Sequence, residues 1–132
     1  MSKQKGDDSA FGVVAGSAPS QTMILLLKLL IGHALADYPL QGDAIAKGKN
    51  RHSPPYGIPP GQKPCAVWWH YLTAHALIHA GAVWIITGNV GFAVAELALH
   101  WAIDFAKCEN WTNPHQDQAL HVACKMAYVL LG

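Results

Sequence analysis

The chain has 132 residues, which is enough for one domain with a single core and too few for two ordinary domains. Apolar residues make up 52% of it and Asp, Glu, Lys and Arg only 13%, about half of the roughly 25% charged content of a typical soluble domain. The net charge of +1 argues against nucleic acid as a partner, and three cysteines without Cys-x-x-Cys spacing argue against a disulfide framework or an all-cysteine zinc site.

The N-terminal part of the chain divides into a tail, a helix and a loop. Residues 1–21 are rich in Gly, Ser, Ala and charge, which predicts a flexible N-terminal tail without the features of a signal peptide. Apolar periodicity predicts a first helix from about Thr22 to Ala36, with Thr22 as its cap. Residues 42–64 hold five of the eight prolines and four glycines, which predicts a long loop. Its basic side chains are expected to be solvated: Lys47, Lys49, Arg51, His52 and Lys63.

Three further helices are predicted after this loop, and no comparable strand signal occurs. They run from about Ala66 to Thr87, from Val90 to Lys107 and from Gln116 to Leu131. Gly88-Asn89 predicts a tight reversal between the second and third helices, and Asn113-Pro114 predicts the start of the fourth. We therefore predict an all-α fold, a four-helix up-and-down bundle with a long Pro/Gly-rich loop between helices 1 and 2, in a single helical domain over residues 22–132.

Each predicted helix carries titratable side chains four residues apart, a spacing that places them on one face. The third helix is the clearest case, because Glu96, His100 and Asp104 form one polar stripe on an otherwise apolar helix. A single such pair is usually a local hydrogen bond or a satisfied core histidine, but a pair on each of four helices favours a shared interior site. The other pairs are His33 and Asp37, His75 and His79, and Asp117 and His121.

Imidazoles and carboxylates at this spacing predict a divalent metal ion, with zinc favoured and iron or manganese as alternatives. His75 and His79 have the spacing of a zincin helix, but the glutamate after the first histidine is missing, so a general base would have to come from another helix. The candidate bases are Asp37, Glu96 and Asp104. The candidate metal ligands are His33, His75, His79, His100, Asp117 and His121.

The apolar composition leaves both a membrane and a cytoplasmic location open. Residues 64–95 contain no Asp, Glu, Lys or Arg, and the second predicted helix is about long enough to cross a hydrocarbon core of roughly 30 Å. The first and fourth predicted helices are too short to cross it. The basic residues of the 42–64 loop would suit an anionic small molecule or a lipid headgroup.

Five motifs occur in an order that resembles the domain of unknown function 3307 family over about residues 24–131. They are HALADYPLQ from His33, KGKN from Lys47, HALIH from His75, ELALHWAIDFAK from Glu96 and DQALH from Asp117. The resemblance implies a small multi-helix protein of bacterial or phage origin, in many cases predicted to lie in a membrane, here the inner membrane of a bacterial host. It implies no reaction.

Two hypotheses of function follow, and the sequence leaves open whether the protein is an enzyme. In the first, the protein is a metal-dependent hydrolase in which an interior ion activates water and a carboxylate takes the proton. In the second, it is a non-catalytic, membrane-associated structural or interaction protein of a phage or bacterium, whose buried polar network fixes the register of its helices.

Overall fold

The computed structural model describes residues 20–54, 57–63 and 67–132, and within these ranges all regular structure is helical. There are five helices rather than the predicted four: α1 (Gln21–Asp37), α2 (Gly42–Gly48), α3 (Trp68–Thr87), α4 (Val90–Cys108) and α5 (Pro114–Leu131). The additional helix, α2, lies in the segment predicted to be a loop. That prediction was wrong there, because its prolines begin only after the helix has ended. The predicted tail lies mostly outside the described residues, as do Cys65 and the predicted start of the second helix at Ala66.

Side-chain caps set most of the helix boundaries. Ser20, not Thr22, caps α1 by accepting a hydrogen bond from the backbone N–H of Met23. Gly88 ends α3 in the left-handed conformation with φ of 68°, and Asn89 caps α4, which confirms the predicted reversal. Asn113 caps α5, so this helix begins at Pro114 and not at Gln116.

The four long helices pack side by side in the order α1, α3, α4, α5, with α5 returning to α1, and α2 packs against α3. Gly48 allows the end of α2 to approach α3 closely, because a Cβ atom built there would lie 2.7 Å from the ring of Tyr71. We call the end of the bundle that carries α2 the loop end. The C-termini of α1 and α4 and the N-termini of α3 and α5 lie there.

The interior consists of two layers that differ in chemistry. Away from the loop end, Leu29, Val83 and Tyr128 form a small apolar core supported by Ile86 and Phe92. Between this core and the loop end, the interior is filled with histidines, carboxylates and lysines. Most of the buried polar side chains of the described residues belong to this second layer.

Taken one at a time, none of the helices in the described ranges combines the length and the apolarity needed to cross a membrane. The pair α1 and α2 meets those requirements together, with a bend of 85° between the two helices.

Candidate metal centre

The side chains that the i,i+4 spacing singled out lie together in the polar layer. All are buried except Asp37, which is nearly so, with 11% of its side chain exposed. A residue on each of four helices can reach the centre because the stripe of each helix faces the axis of the bundle. The cluster contains His33, Asp37, His75, His79, Glu96, His100, Asp104, Asp117 and His121.

The largest group that could hold an ion joins Asp37 of α1, His75 and His79 of α3, and His100 of α4. One ligand atom from each of these residues lies within 4.8 Å of the other three. Nε2 of His79 lies 3.1 Å, and Nε2 of His75 lies 3.3 Å, from Oδ1 of Asp37. Ligand atoms around a tetrahedral zinc ion are about 3.4 Å apart for bonds of ~2.1 Å, so small side-chain movements would close this group on an ion. We call these four residues the tetrad.

Two further groups of three side chains that could hold a metal ion overlap with the tetrad or lie next to it. His33 and His121 form one with His100, and Asp104 and Asp117 form the other with His121. The first shares a ligand with the tetrad. The second lies against lysines, because the Nζ of Lys107 donates to Oδ2 of Asp117 over 2.8 Å.

Several buried imidazole nitrogens in the cluster have no hydrogen-bond partner. They include Nε2 of His75, His100 and His121. The rings lie close together, with 3.6 Å between the centroids of His79 and His100 and 4.1 Å between those of His100 and His121. Carboxylate oxygens lie near these nitrogens, for example Oδ1 of Asp37 and Oδ2 of Asp104, each 3.3 Å from Nε2 of His75, but without the geometry of a hydrogen bond. A cation bound among the nitrogens and the carboxylate oxygens would satisfy both.

Lysines neutralise three of the four carboxylates in the cluster. The Nζ of Lys49 lies 2.5 Å from Oδ2 of Asp104, Lys107 pairs with Asp117, and Lys125 donates to Oε1 of Glu96. Asp37 alone forms no ion pair with a lysine of the described residues. Its Oδ2 accepts a hydrogen bond from the side-chain amide of Gln118 over 3.0 Å, and its other contacts are with histidines. Asp37, in the tetrad, is therefore the carboxylate of the cluster whose described partners are imidazoles and one amide.

Glu96 holds one of the tetrad rings in place. Its Oε1 lies 3.3 Å from Nδ1 of His100, which leaves Nε2 of that ring directed toward the other histidines. A carboxylate on the far nitrogen of a histidine is the usual arrangement behind a metal ligand, because it fixes the ring and its tautomer.

The i,i+4 spacing of His, Asp and Glu does not predict the lysines or the glutamines of the site. Lys49 was expected to be solvated, and that expectation was wrong, because the turn after α2 carries its side chain into the interior to Asp104 and to Oε1 of Gln41, 2.6 Å away. The lysines of the long helices continue the predicted stripes, Lys107 three residues after Asp104 and Lys125 four residues after His121. Extending the stripes by one turn would have found both.

The exposed basic residues near the loop end are engaged with acidic ones. Arg51 donates to both carboxylate oxygens of Glu109, over 2.8 and 2.7 Å, and Nε2 of His52 lies 3.0 Å from the same carboxylate. Hydrogen bonds from Arg51 hold the pKa of Glu109 below its ordinary value, and the same contact raises the pKa of Arg51. Lys47 pairs with Asp43 on α2.

Fold and site define an all-α helical bundle with a buried cluster of histidines and carboxylates, four of which could hold a metal ion. The chain belongs to the DUF3307 family of proteins of unknown function, whose family model matches residues 25–131 and confirms the resemblance of the motifs. No curated protein matches the chain, and no solved structure does.

Proposed function

We propose that this protein binds one divalent metal ion in its interior through Asp37, His75, His79 and His100, and that the ion serves a hydrolytic reaction. The observation that carries this proposal is the tetrad itself, four ligand atoms from three helices within 4.8 Å of one another. Nε2 of His75 and Nε2 of His100 form no hydrogen bond with a described residue, and Asp37, which has no lysine partner among the described residues, belongs to the same group.

The donor set favours zinc, with iron and manganese as alternatives. Three imidazoles and one carboxylate are borderline to hard ligands, and the described cysteines, Cys108 and Cys124, belong to none of the candidate groups. His33 and His121 lie against the tetrad through ring contacts with His79 and His100. They would provide further nitrogen ligands for an ion that requires a coordination number above four.

In the proposed hydrolase, Asp37 would leave the ion when water binds, so that the three histidines hold the ion as in catalytic zinc sites and Asp37 takes the proton of the bound water. A divalent ion at the tetrad would lower the pKa of a water molecule and polarise a substrate oxygen. Asp37 lies at the loop end of the cluster and is its most exposed carboxylate. Asp104 and Glu96 are each bound to a lysine, which makes them weaker bases, and we assign to them the positioning of His75 and His100.

The loop end is the side from which a substrate would approach, since the opposite end of the bundle is closed by apolar packing. Lys47 and Arg51 are exposed there, each paired with a carboxylate, Asp43 and Glu109. We propose that an anionic group, such as a phosphate or a lipid headgroup, binds on this side by displacing Glu109 from its two-point contact with Arg51.

The first test is the metal content of protein purified without a histidine tag. We expect zinc, iron or manganese at close to one ion per chain, and we expect His79→Ala to remove it. The matched control is His115→Ala, because His115 is exposed at the start of α5 and belongs to none of the candidate groups. Loss of the ion should lower the melting temperature of the parent to that of His79→Ala, since a ligand present at a thousand times its Kd stabilises a protein by about 4 kcal/mol.

Hydrolysis is tested separately with chromogenic esters, 4-nitrophenyl acetate and bis(4-nitrophenyl) phosphate, on protein depleted with a chelator and reloaded with zinc. Activity that returns with the metal in the parent and in His115→Ala, but not in His79→Ala, supports the hydrolase. Full metal occupancy without turnover of either ester would restrict the function to metal binding.

One observation favours the alternative of a non-catalytic scaffold. The lysine pairs of Asp104, Asp117 and Glu96 link α2, α4 and α5 into a network that would fix the register of the helices without any ion. If the purified parent holds no metal and a chelator leaves its melting temperature unchanged, the scaffold function stands and the hydrolase is wrong.

A further inference from the structure

The distribution of polar and apolar side chains is opposite to that of an ordinary soluble domain. Among the described residues, ten polar or charged ones are buried in the interior, including Lys125, Glu96 and Asp104, each 1% exposed. The exterior of the four long helices carries the large apolar side chains. Soluble proteins expose some apolar residues, but they rarely combine a charged interior with a contiguous apolar exterior.

The charges on the four long helices show the same inversion. These helices contain seven Asp, Glu, Lys or Arg residues in all, and Lys28 is the only one of them that is exposed. Asp37 and Lys107 have 11% and 31% of their side chains exposed, and the other four are buried. Water therefore meets almost no charge along the sides of the bundle.

The apolar exterior lies on every side of the bundle and not on one face. Each long helix contributes outward-facing apolar residues within its length, for example Leu27 on α1, Leu77 on α3, Leu99 on α4 and Leu120 on α5, which are 58, 52, 44 and 44% exposed. A partner protein or a second copy of the chain would cover one or two of these sides. An apolar solvent would cover all four.

The ends of the bundle differ from its sides. Tyr38, Trp69 and Trp111 are exposed at the loop end, where α1 ends, α3 begins and α4 gives way to α5. The exposed charged residues of α2 and of the following segment lie at the same end. Aromatic residues with a polar edge, next to a charged border, mark the level at which a protein passes from hydrocarbon to headgroups.

From these observations we infer that the four long helices lie in a lipid bilayer, with their outward faces against the acyl chains and the loop end at a headgroup surface. Helices of 17 to 20 residues are about 26–30 Å long, close to the roughly 30 Å thickness of the hydrocarbon. The inference does not depend on a bound metal.

Hydropathy taken over each whole helix does not reveal this arrangement, because every long helix turns a histidine or an ion pair toward its neighbours. Ionisable side chains within a bilayer are tolerated where they face the interior of a bundle and pair with one another, as Glu96 and Lys125 do. Lys28 is the exception among the outward residues. Its long stem allows the ammonium group to reach toward the headgroups while the methylenes remain in hydrocarbon.

The test uses the full chain, purified in mild detergent and mixed with vesicles of phosphatidylcholine containing a minor fraction of phosphatidylglycerol. After detergent removal, we expect the protein to float with the vesicles on a density gradient and to stay with them through washes in high salt and in alkaline carbonate. Mid-chain brominated phosphatidylcholine should quench the fluorescence of the outward-facing Trp84, measured as the difference between the parent and Trp84→Phe.

A pair of arginine variants separates lipid from water as the surrounding medium. Leu77→Arg places a cation at the middle of α3, whereas Leu131→Arg places one at the end of α5, with both positions exposed. In a bilayer the central arginine should reduce the carbonate-resistant fraction about tenfold or more, while the terminal one should leave it nearly unchanged. Equal recovery of the two variants would overturn the inference.

Three other outcomes would also overturn it. Protein that stays at the bottom of the gradient as a monomer in buffer has a water-exposed exterior. Protein that forms a discrete oligomer in buffer and ignores vesicles covers its apolar sides with further copies. Protein that floats only with phosphatidylglycerol and is released by salt is held by the basic loop end and not by its apolar sides.

Discussion

The ion pair of Lys125 with Glu96 offers the most direct test of how the interior is held together. Both side chains are 1% exposed, and Lys125 donates to Oε1 of Glu96 at the border between the polar and the apolar layers. Lys125→Met keeps most of the length of the side chain and removes the ammonium group. The variant therefore leaves the Glu96 carboxylate buried, with His100 and the hydroxyl of Tyr128 as its remaining neighbours.

Breaking a buried ion pair by removing one partner typically costs 3–5 kcal/mol, because the remaining charge is buried without compensation. With a urea dependence of roughly 2 kcal/mol per molar for a chain of this size, the midpoint of unfolding should fall by about 1.5–2.5 M. Glu96→Gln in the same chain removes the orphaned charge. The double variant should therefore recover most of the loss and lie within about 2 kcal/mol of the parent.

The measurement is equilibrium unfolding in urea at neutral pH, followed by circular dichroism, with the protein kept dispersed in mild detergent. Lys28→Met is the matched control, because Lys28 is exposed on α1 and its replacement should change stability by no more than about 0.5 kcal/mol. The reasoning is refuted if Lys125→Met unfolds at the same midpoint as Lys28→Met. It is also refuted if the double variant is less stable than Lys125→Met alone.

Two further substitutions test the metal proposal and the docking of α2. Asp37→Asn should lower the zinc affinity by a factor of about 100 or more, because it removes a charged ligand of the proposed site. The affinity is measured by competition with a chromogenic chelator. The control variant Asp43→Asn, on the surface, should leave the affinity unchanged. Gly48→Ala should destabilise the fold by about 1–3 kcal/mol, because the added methyl group would lie 2.7 Å from the Tyr71 ring. Both glycine variants are compared by thermal melting. A Cβ atom at Gly81 would meet nothing within 4 Å, so Gly81→Ala should be neutral or stabilising. Equal melting temperatures for the two variants would contradict the close approach of α2 to α3.

The sequence was sufficient to predict the long helices and the residues that meet inside them. Apolar periodicity and the turn residues Gly88-Asn89 and Asn113-Pro114 placed the boundaries to within a few residues. A spacing of four between titratable residues placed them on one face of each helix. Because buried polar side chains need polar partners, the four faces were expected to meet in the interior of the bundle. Both signals are local, which is why sequence alone could find them.

The position of Lys49 could not be predicted in this way. Its neighbours in the sequence are polar residues and glycines of a segment rich in turn formers, and nothing local distinguishes it from the exposed Lys47 two residues earlier. Its partner Asp104 is 55 residues away along the chain. The packing of α2 on α3 brings the two side chains together, and Gly48 allows the close approach of α2 to the ring of Tyr71.

The cost of burying charge accounts for the composition of the polar layer. A neutral imidazole costs much less to bury than a carboxylate, so five histidines can share the interior without a counter-charge for each ring. Carboxylates cannot do so, and Glu96, Asp104 and Asp117 each have a lysine. Asp37 departs from this pattern, and it does so beside the histidines of the tetrad. A fourth lysine there would complete the pattern. Instead, the Asp37 carboxylate is left to the imidazoles around it, with Nε2 of His33 3.2 Å from its Oδ2, and to the cation that we propose.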